Sequence, residues 1–394
     1  MEEIRLTALP DTVEQYRDGF PLLTEEAVGN RTDLEEGELF TLEAPDGDFL
    51  GRGYVGKQNK GTGWILTKKE NEMIDEQFVS KKLMMAISRR GNLLASEETT
   101  AFRVFNGEGD GFGGILIDYY AGYYVLQFYS KGAYSFRQQF IDILTQTMDP
   151  VGIYEKKRFS DEKTEKQSDF VSGTEAPAPL YIKENGMNFA VYLDDGAMTG
   201  IFLDQRDVRK TLRDEWAAGS TVLNTFSYTG AFSTAAALGG AVSTVSVDAA
   251  NRSRERTAEQ FRLNEIDMDS QKILVDDVFS WFRKAASREQ TYDVVVLDPP
   301  SFARTKQTTF RAAKDYGRLV EDALDLMEPG SLLIAATNHA GLPRWRFRRQ
   351  VEQAFKAKER RFRMEKQFAL PDDFLVNPDY PEGDYLKVLA MRVL

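Results

Sequence analysis

The chain has 394 residues, 42% apolar, 28% charged and 12% aromatic, with a formal net charge of −12, no cysteine and one histidine. That length suits two or three domains with real cores. The two counts exclude a Cys nucleophile, a disulfide framework, an Fe–S cluster and a Cys/His zinc site, and a Ser-His-Asp triad could be built only on His339. The Met-Glu-Glu start offers no basic n-region or apolar h-region, and no run approaches the roughly 18 apolar residues of a membrane span. The expectation is an intracellular, cytoplasmic chain with no membrane partner and no metal.

Residues 1–70 alternate short apolar runs with turn signals: Leu39-Phe40-Thr41-Leu42, Ala44-Pro45-Asp46-Gly47, Phe49 to Gly56, Asn59-Lys60-Gly61-Thr62-Gly63 and Trp64-Ile65-Leu66. Short strands with Gly-rich turns predict a small β-barrel. Residues 71–92 read as a helix, with Ile74, Phe78, Met84 and Ile87 near a 3.6 period and Gly91 as its stop.

Residues 100–185 read as an α+β segment. Gly107-Glu108-Gly109-Asp110-Gly111-Phe112-Gly113-Gly114 looks like a phosphate loop, but such a loop should lead from a strand into a helix N-terminus. Here Ile115 to Tyr120, a turn at Ala121-Gly122 and Tyr123 to Phe128 follow, which predicts a β-hairpin and makes the glycines turn chemistry. Lys156 to Ser172 is polar, and Glu175-Ala176-Pro177-Ala178-Pro179 is linker-like.

Beyond residue 186 the texture changes. Runs at 221–224, 245–247, 272–275, 294–297 and 331–336 are apolar on both faces and alternate with helical patterns. That pattern predicts a mostly parallel sheet covered on both sides, an α/β domain over 186–394. The domains then read as 1–70, 71–185 and 186–394.

Ligands of such sheets sit beyond the carboxyl ends of the strands. After the first strand lie Asn224, Thr225, Phe226, Ser227 and Thr229, then Gly230, which could let the backbone approach a ligand. Asp248 ends the second strand and could accept both hydroxyls of a ribose. Asp276, Asp277, Val278 and Phe279 end the third; a carboxylate there could accept an exocyclic amine, and Phe279 could face an adenine. Each acid also reads as a helix N-cap. Together, without GxGxxG, they suit one ribose and one adenine, which describes S-adenosylmethionine (SAM) and a SAM-dependent methyltransferase.

Asp298-Pro299-Pro300-Ser301-Phe302 ends the fourth strand. Prolines donate no backbone hydrogen bond, so the carbonyls of Pro299 and Pro300 are free to face a ligand. The Asp298 carboxylate could accept from the N–H groups of a planar base while Phe302 stacks on its face. The plain alternative is a strand-ending turn.

Residues 1–50 hold 14 acidic and 3 basic side chains, a net of −11, leaving −1 for the rest. Residues 341–368 hold 10 basic side chains, among them Arg344, Arg346, Arg348 and Arg349, interleaved with Trp345, Phe347, Phe355 and Phe362. Such spacing can hold phosphates and stack bases, giving salt-dependent RNA binding. It equally describes an amphipathic helix with a solvated basic face.

Met198 to Arg206, Asn224 to Gly230, Asp277-Val278-Phe279 and Asp298 to Arg304 resemble the bacterial class I SAM-dependent large-subunit rRNA methyltransferases with an N-terminal PUA-like domain. The resemblance implies a PUA-like barrel, a central RNA-binding α+β domain, a Rossmann-like catalytic domain with a seven-stranded sheet, and a homodimer. It implies Phe202, Asp204, Gln205 and Arg206 at the methionine end of the cofactor, and Phe226, Asp248 and Asp277 at its nucleoside end.

Relatives that make 5-methylcytosine add a Cys thiolate to carbon 6, since carbon 5 is a poor nucleophile. Here the strand after Asp298-Pro299-Pro300 runs into Thr337-Asn338-His339, and the chain has no cysteine. The Thr337-Asn338 pair resembles relatives that methylate guanine N7, a ready lone pair. The expectation is positioning catalysis on a purine nitrogen, with Asp298, Phe302 and Asn338 holding the base. Guanine N2 methylation and a non-catalytic ribosome-assembly factor are the alternatives. His339 reads as an RNA contact or a plain surface residue.

Overall fold

The computed structural model describes residues 3–29, 33–58, 61–159, 168–304 and 309–394. Asn59 and Lys60 of the predicted turn, and residues 160–167 of the predicted polar stretch, lie outside these. Among the described residues no helix is long and apolar enough to cross a membrane. The chain forms two units. The first comprises residues 1–182, 191–199 and 372–383, the second 183–190, 200–371 and 384–394.

In the first unit, strands Ile4–Thr7, Leu39–Glu43, Phe49–Gln58, Gly61–Thr67 and Leu22–Thr24 lie side by side in that order. At Gly53 the Phe49–Gln58 and Gly61–Thr67 strands approach closely: a Cβ there would lie 1.8 Å from the Trp64 carbonyl oxygen. A larger residue would push the strands apart. Phe40, Leu42, Leu23 and Val55 fill this sheet's own core.

Asp75 caps the helix Glu76–Arg89, accepting from Phe78 N at 2.9 Å. The helix therefore starts five residues later than its periodicity predicts. Its buried face is Phe78, Val79, Leu83, Ala86 and Ile87, and Met84, about 100° round from Leu83, points to solvent. Gly91 opens a further turn, Gly91–Leu94, instead of ending the helix.

A second five-stranded sheet runs Ser168–Gly173, Gly152–Lys157, Tyr123–Phe128, Ile115–Tyr120, Ala101–Asn106. The predicted hairpin is present: Ala121 (φ +47°) and Gly122 (φ +97°) make the primed turn that strand twist favours. The glycine-rich run is a 3₁₀ turn, Gly107–Asp110. Its Asp110 takes Arg90 in a bidentate pair at 2.7 Å per bond and accepts from Asn106 N at 2.8 Å, so the run is structural. Tyr54 and Trp64 share one core with Phe112, Phe105 and Phe140, and Tyr54 Oη donates to the Gly113 carbonyl at 2.7 Å. Residues 372–383, expected with the last segment, belong here: Asp373 accepts from Arg103 N at 2.8 Å, and Arg103 lies over the Phe374 ring.

The second unit is built on a seven-stranded sheet in the order Gln271–Val275, Ser243–Asp248, Thr221–Thr225, Val294–Leu297, Leu332–Thr337, Lys387–Val393, Phe362–Phe368. The first five are parallel and the last two antiparallel. Successive residues alternate between two cores. Leu223, Val295, Leu297, Leu333 and Leu389 pack on one face, Val222, Val294, Val296, Ile334 and Val388 on the other. Both faces of the inner strands are covered, which is why their runs are largely apolar, while the edge strand Gln271–Val275 is only half-buried. The order reverses between the neighbours Thr221–Thr225 and Val294–Leu297, leaving a crevice at their carboxyl ends.

Candidate active site

The Thr221–Thr225 strand leads into a five-residue loop with three left-handed positions: Phe226 (φ +52°), Tyr228 (φ +52°) and Gly230 (φ +78°). A non-glycine residue at positive φ costs roughly 1–3 kcal/mol, and two so close together mark a loop held by its surroundings. Ser227 N donates to the Val247 carbonyl at 3.1 Å, Tyr228 N to Asp248 Oδ2 at 2.9 Å, and Thr229 Oγ1 to the Gly200 carbonyl at 2.6 Å. Asp248 also accepts from Ala250 N at 2.8 Å through Oδ1. Each of its oxygens keeps acceptor capacity for a ligand hydroxyl. Burial pushes its carboxyl up, and the two backbone N–H groups pull it back.

Of the paired acids after the third strand, Asp276 is committed: it accepts from Asp277 N at 2.9 Å and from Lys284 Nζ at 2.6 Å. Asp277 caps the helix Val278–Ala286, accepting from Ser280 N at 2.9 Å, and borders the cavity with Val278 and Phe279. The cap and the site lining are here one residue.

Asp298 is pushed up to about 7, first by burial and then by the charge of Asp204, against the pull of Arg209 and of a hydrogen bond from Gln205. After it the chain folds into a hairpin, Phe302–Arg304 against Thr309–Arg311. Phe302 stands 55% exposed, and Phe310 turns inward against Phe226 and Phe279 with centroids 6.2 and 6.0 Å apart.

These residues enclose a cavity of about 440 Å³ at the switch point, within the range of small-ligand sites. Phe202, Asn224, Phe226, Ser227 and Thr229 line it, as do Asp248, Asp277, Val278, Asp298, Pro300 and Phe302. The remaining candidates stand outside the lining. Asp204 accepts from Tyr385 Oη at 2.9 Å, Gln205 Nε2 reaches Asp298, and Arg206 is buried beside Asp207. Thr225 is buried and donates to the Val296 carbonyl at 2.7 Å. Pro299 is buried, and Asn338 is exposed, accepting from Ser301 Oγ at 3.0 Å. A Cβ on Gly230 would lie 2.4 Å from Thr257 Cγ2, so this glycine serves the loop's turn and the packing of the helix Ala231–Leu238.

Sequence reasoning did not single out Tyr228, Arg209, Arg304 or Phe310, which also line the cavity. Arg209 makes a bidentate pair with Glu184 at 2.7 Å per bond and donates to the Phe202 carbonyl at 2.7 Å. It does so one helical turn beyond Arg206, and Glu184 lies 25 residues upstream. Tyr228 lies against Phe202, centroids 5.5 Å apart.

Carboxylates for hydroxyls and an amine, aromatic and aliphatic walls for a flat ring, and no pyrophosphate loop suit a nucleoside-containing ligand. Ser227 Oγ fits this: it is buried at the cavity with no hydrogen-bond partner among the described residues. The fold and site define an α/β transferase that binds its cofactor through a single nucleoside. Residues 156–374 match the profile of the S-adenosylmethionine-dependent methyltransferases, and residues 9–68 that of a PUA-like domain. YwbD of Bacillus subtilis (strain 168), provisionally named a ribosomal RNA large subunit methyltransferase, is 48% identical over 382 residues, 96% of either chain. Ribosomal RNA large subunit methyltransferase I of Aliivibrio fischeri (strain ATCC 700601 / ES114) is 31% identical over 363 residues, 91% of either. The crystal structure of SMU.776, provisionally named a methyltransferase and complexed with SAH, superposes with a TM-score of 0.93 at 38% identity, covering 99% of this chain and 100% of that one. The chain belongs to the SAM-dependent large-subunit rRNA methyltransferase family with an N-terminal PUA-like domain, and SAM is its cofactor.

Proposed function

We propose that this methyltransferase acts on large-subunit rRNA, methylating a purine nitrogen, guanine N7 before others, by positioning and without a covalent enzyme–base adduct. The rRNA substrate rests on what the relatives are named for. The atom rests on the chain's own residues. Asp298 and Phe302 converge on the same cavity as the nucleoside-holding acids, and the chain has no cysteine to attack a pyrimidine ring. That convergence carries the proposal.

Bound SAM supplies an electrophilic methyl on a sulfonium. Asp248 is placed to accept ribose hydroxyls and Asp277 an adenine amine, with Phe226, Phe279 and Phe310 as the ring's walls. Asp298 accepts from N–H groups on the base edge, the Pro300 carbonyl supports the same edge, and Phe302 covers the ring. Asn338 acts through Ser301, fixing the loop that carries Phe302. A base nitrogen with a free lone pair needs no proton removed, so orientation supplies the advantage.

One observation favours exocyclic N2 methylation as a second reading: a carboxyl titrating near 7 is matched to take up the proton an amine must lose. Transfer to protein-free rRNA followed by mass spectrometry of the nucleosides separates the readings. 7-Methylguanosine is the expected product, N2-methylguanosine selects the second reading, and 5-methylcytidine overturns both.

A further inference from the structure

The basic segment at 344–366 divides once its side chains are followed. Arg344, Arg348, Lys358, Arg363 and Lys366 are each in an ion pair, with Asp384, Glu352, Asp325, Glu365 and Glu215. Phe347 and Phe355 are fully buried in the sheet's core, so they can stack on no base. Arg360 and Arg361, beyond the helix, have no ion pair among the described residues, and neither do the exposed Arg346, Arg349 and Lys356. On the helix Arg344–Ala357 they sit at i, i+3 and i+10, along a single stripe. Uncompensated cations on one stripe form a track for an anionic chain, not a solvated face in internal balance.

At the N-terminal end of that stripe lies a groove lined by Pro343, Trp345, Arg346, Arg349, Gln350 and Gln353, none of which lines the methyl-transfer cavity. Trp345 is 66% exposed, against 2% for Trp64 and 8% for Trp281. Gln350 donates through Nε2 to the Ala313 carbonyl at 2.9 Å, which fixes its amide; its Oε1 is buried with no partner among the described residues. The groove thus offers an aromatic face and two guanidinium groups outside any ion pair among the described residues.

We propose that this groove holds a single unpaired nucleotide of the RNA substrate, apart from the one that is methylated. The base stacks on Trp345, and the flanking phosphates meet Arg346 and Arg349. A peptide partner would use the ring but leave two adjacent cations without phosphates. The inference rests on the RNA reading above and adds a second recognition point to it.

The test titrates the SAH-bound full-length chain with a mixed-sequence single-stranded RNA of about a dozen nucleotides and follows tryptophan emission. Quenching is expected in the parent protein. Trp345→Phe should abolish it while keeping most affinity, since phenylalanine still stacks. Trp345→Ala should weaken binding by roughly 5- to 150-fold. Arg346→Gln with Arg349→Gln should flatten the log–log salt dependence by about 0.7 per phosphate lost. In methyl transfer to rRNA, KM for RNA should rise in Trp345→Ala and in the double arginine variant, and stay near the parent's in Trp345→Phe, with kcat and SAH affinity kept. RNA affinity and KM unchanged in Trp345→Ala overturn the groove while leaving the rRNA reading intact, and quenching by ribosomal proteins but not by RNA overturns it in favour of a protein partner. Failure of the parent protein to methylate any rRNA defeats the functional reading instead, and the fluorescence titration still decides the groove.

Discussion

Gln205 Nε2 donates to Asp298 Oδ1 at 3.1 Å, across 93 residues of sequence. This hydrogen bond lowers the carboxyl that burial and Asp204 raise to about 7. If the ionised form grips the base, transfer falls as pH drops through that value. Gln205→Leu removes the lowering contact, so the acid limb of kcat should move to higher pH by about half to one unit. An unmoved limb in a pH–rate profile would sink the assignment.

Asp298→Asn removes the charge and keeps the shape. Methyl transfer should drop at least about 100-fold, with SAH affinity by calorimetry within a few-fold of the parent protein. Stability should move the other way. A carboxyl raised in the fold from its ordinary 3.8 holds its proton where the unfolded chain has lost it, so the parent protein loses stability as pH rises from about 4 through about 7. The variant escapes that loss. Its Tm should exceed the parent's by about 1–3 °C at pH 8, with the gap closing near pH 4.

Asp248→Ala should weaken SAH binding by roughly 10- to 100-fold, the worth of a charged hydrogen bond to a hydroxyl plus the loosening of the Tyr228 loop it anchors. RNA affinity should not change. Asp276→Ala, two residues from the cavity's Val278 and already committed to Lys284, should bind SAH normally. Similar losses in both would mean the nucleoside lies elsewhere.

Gly230→Ala should destabilise the second unit by about 2 kcal/mol or more, from positive φ and from the contact with Thr257. Adding Thr257→Ala should recover the steric share and leave the backbone share, read from denaturant midpoints. Full recovery would show that φ contributes nothing.

Glu184→Gln leaves Arg209 as a buried cation without its partner. Unfolding should become easier by about 3 kcal/mol. SAH affinity should fall with it, because Arg209 also holds the Phe202 carbonyl at the cavity.

The inner parallel strands were legible because burial on both faces favours apolar runs, and the half-buried edge strand Gln271–Val275 was legible from its Ile273-Leu274-Val275 run. The acids at their ends were legible because helix caps and ligand acceptors fall at the same strand–helix junctions. What sequence spacing could not resolve was the choice between neighbours. Asp276 and Asp277 are equivalent on paper; Lys284, two turns along the following helix, takes one of them. Arg206 and Arg209 differ by one turn, and the distant Glu184 selects the second. Phe310 had no local signal because it comes to the cavity on the return strand of a hairpin.

By itself the amino-acid order determined the elements, the wound sheet and the chemical character of its rim, since periodicity and turn chemistry act over a few residues. Tertiary structure alone decided which side chains enter the cavity, why Gly230 must be glycine, and that residues 372–383 return to the first unit. Those outcomes depend on partners 25 to 283 residues away, and packing and hydrogen bonding over such separations leave no mark on local spacing.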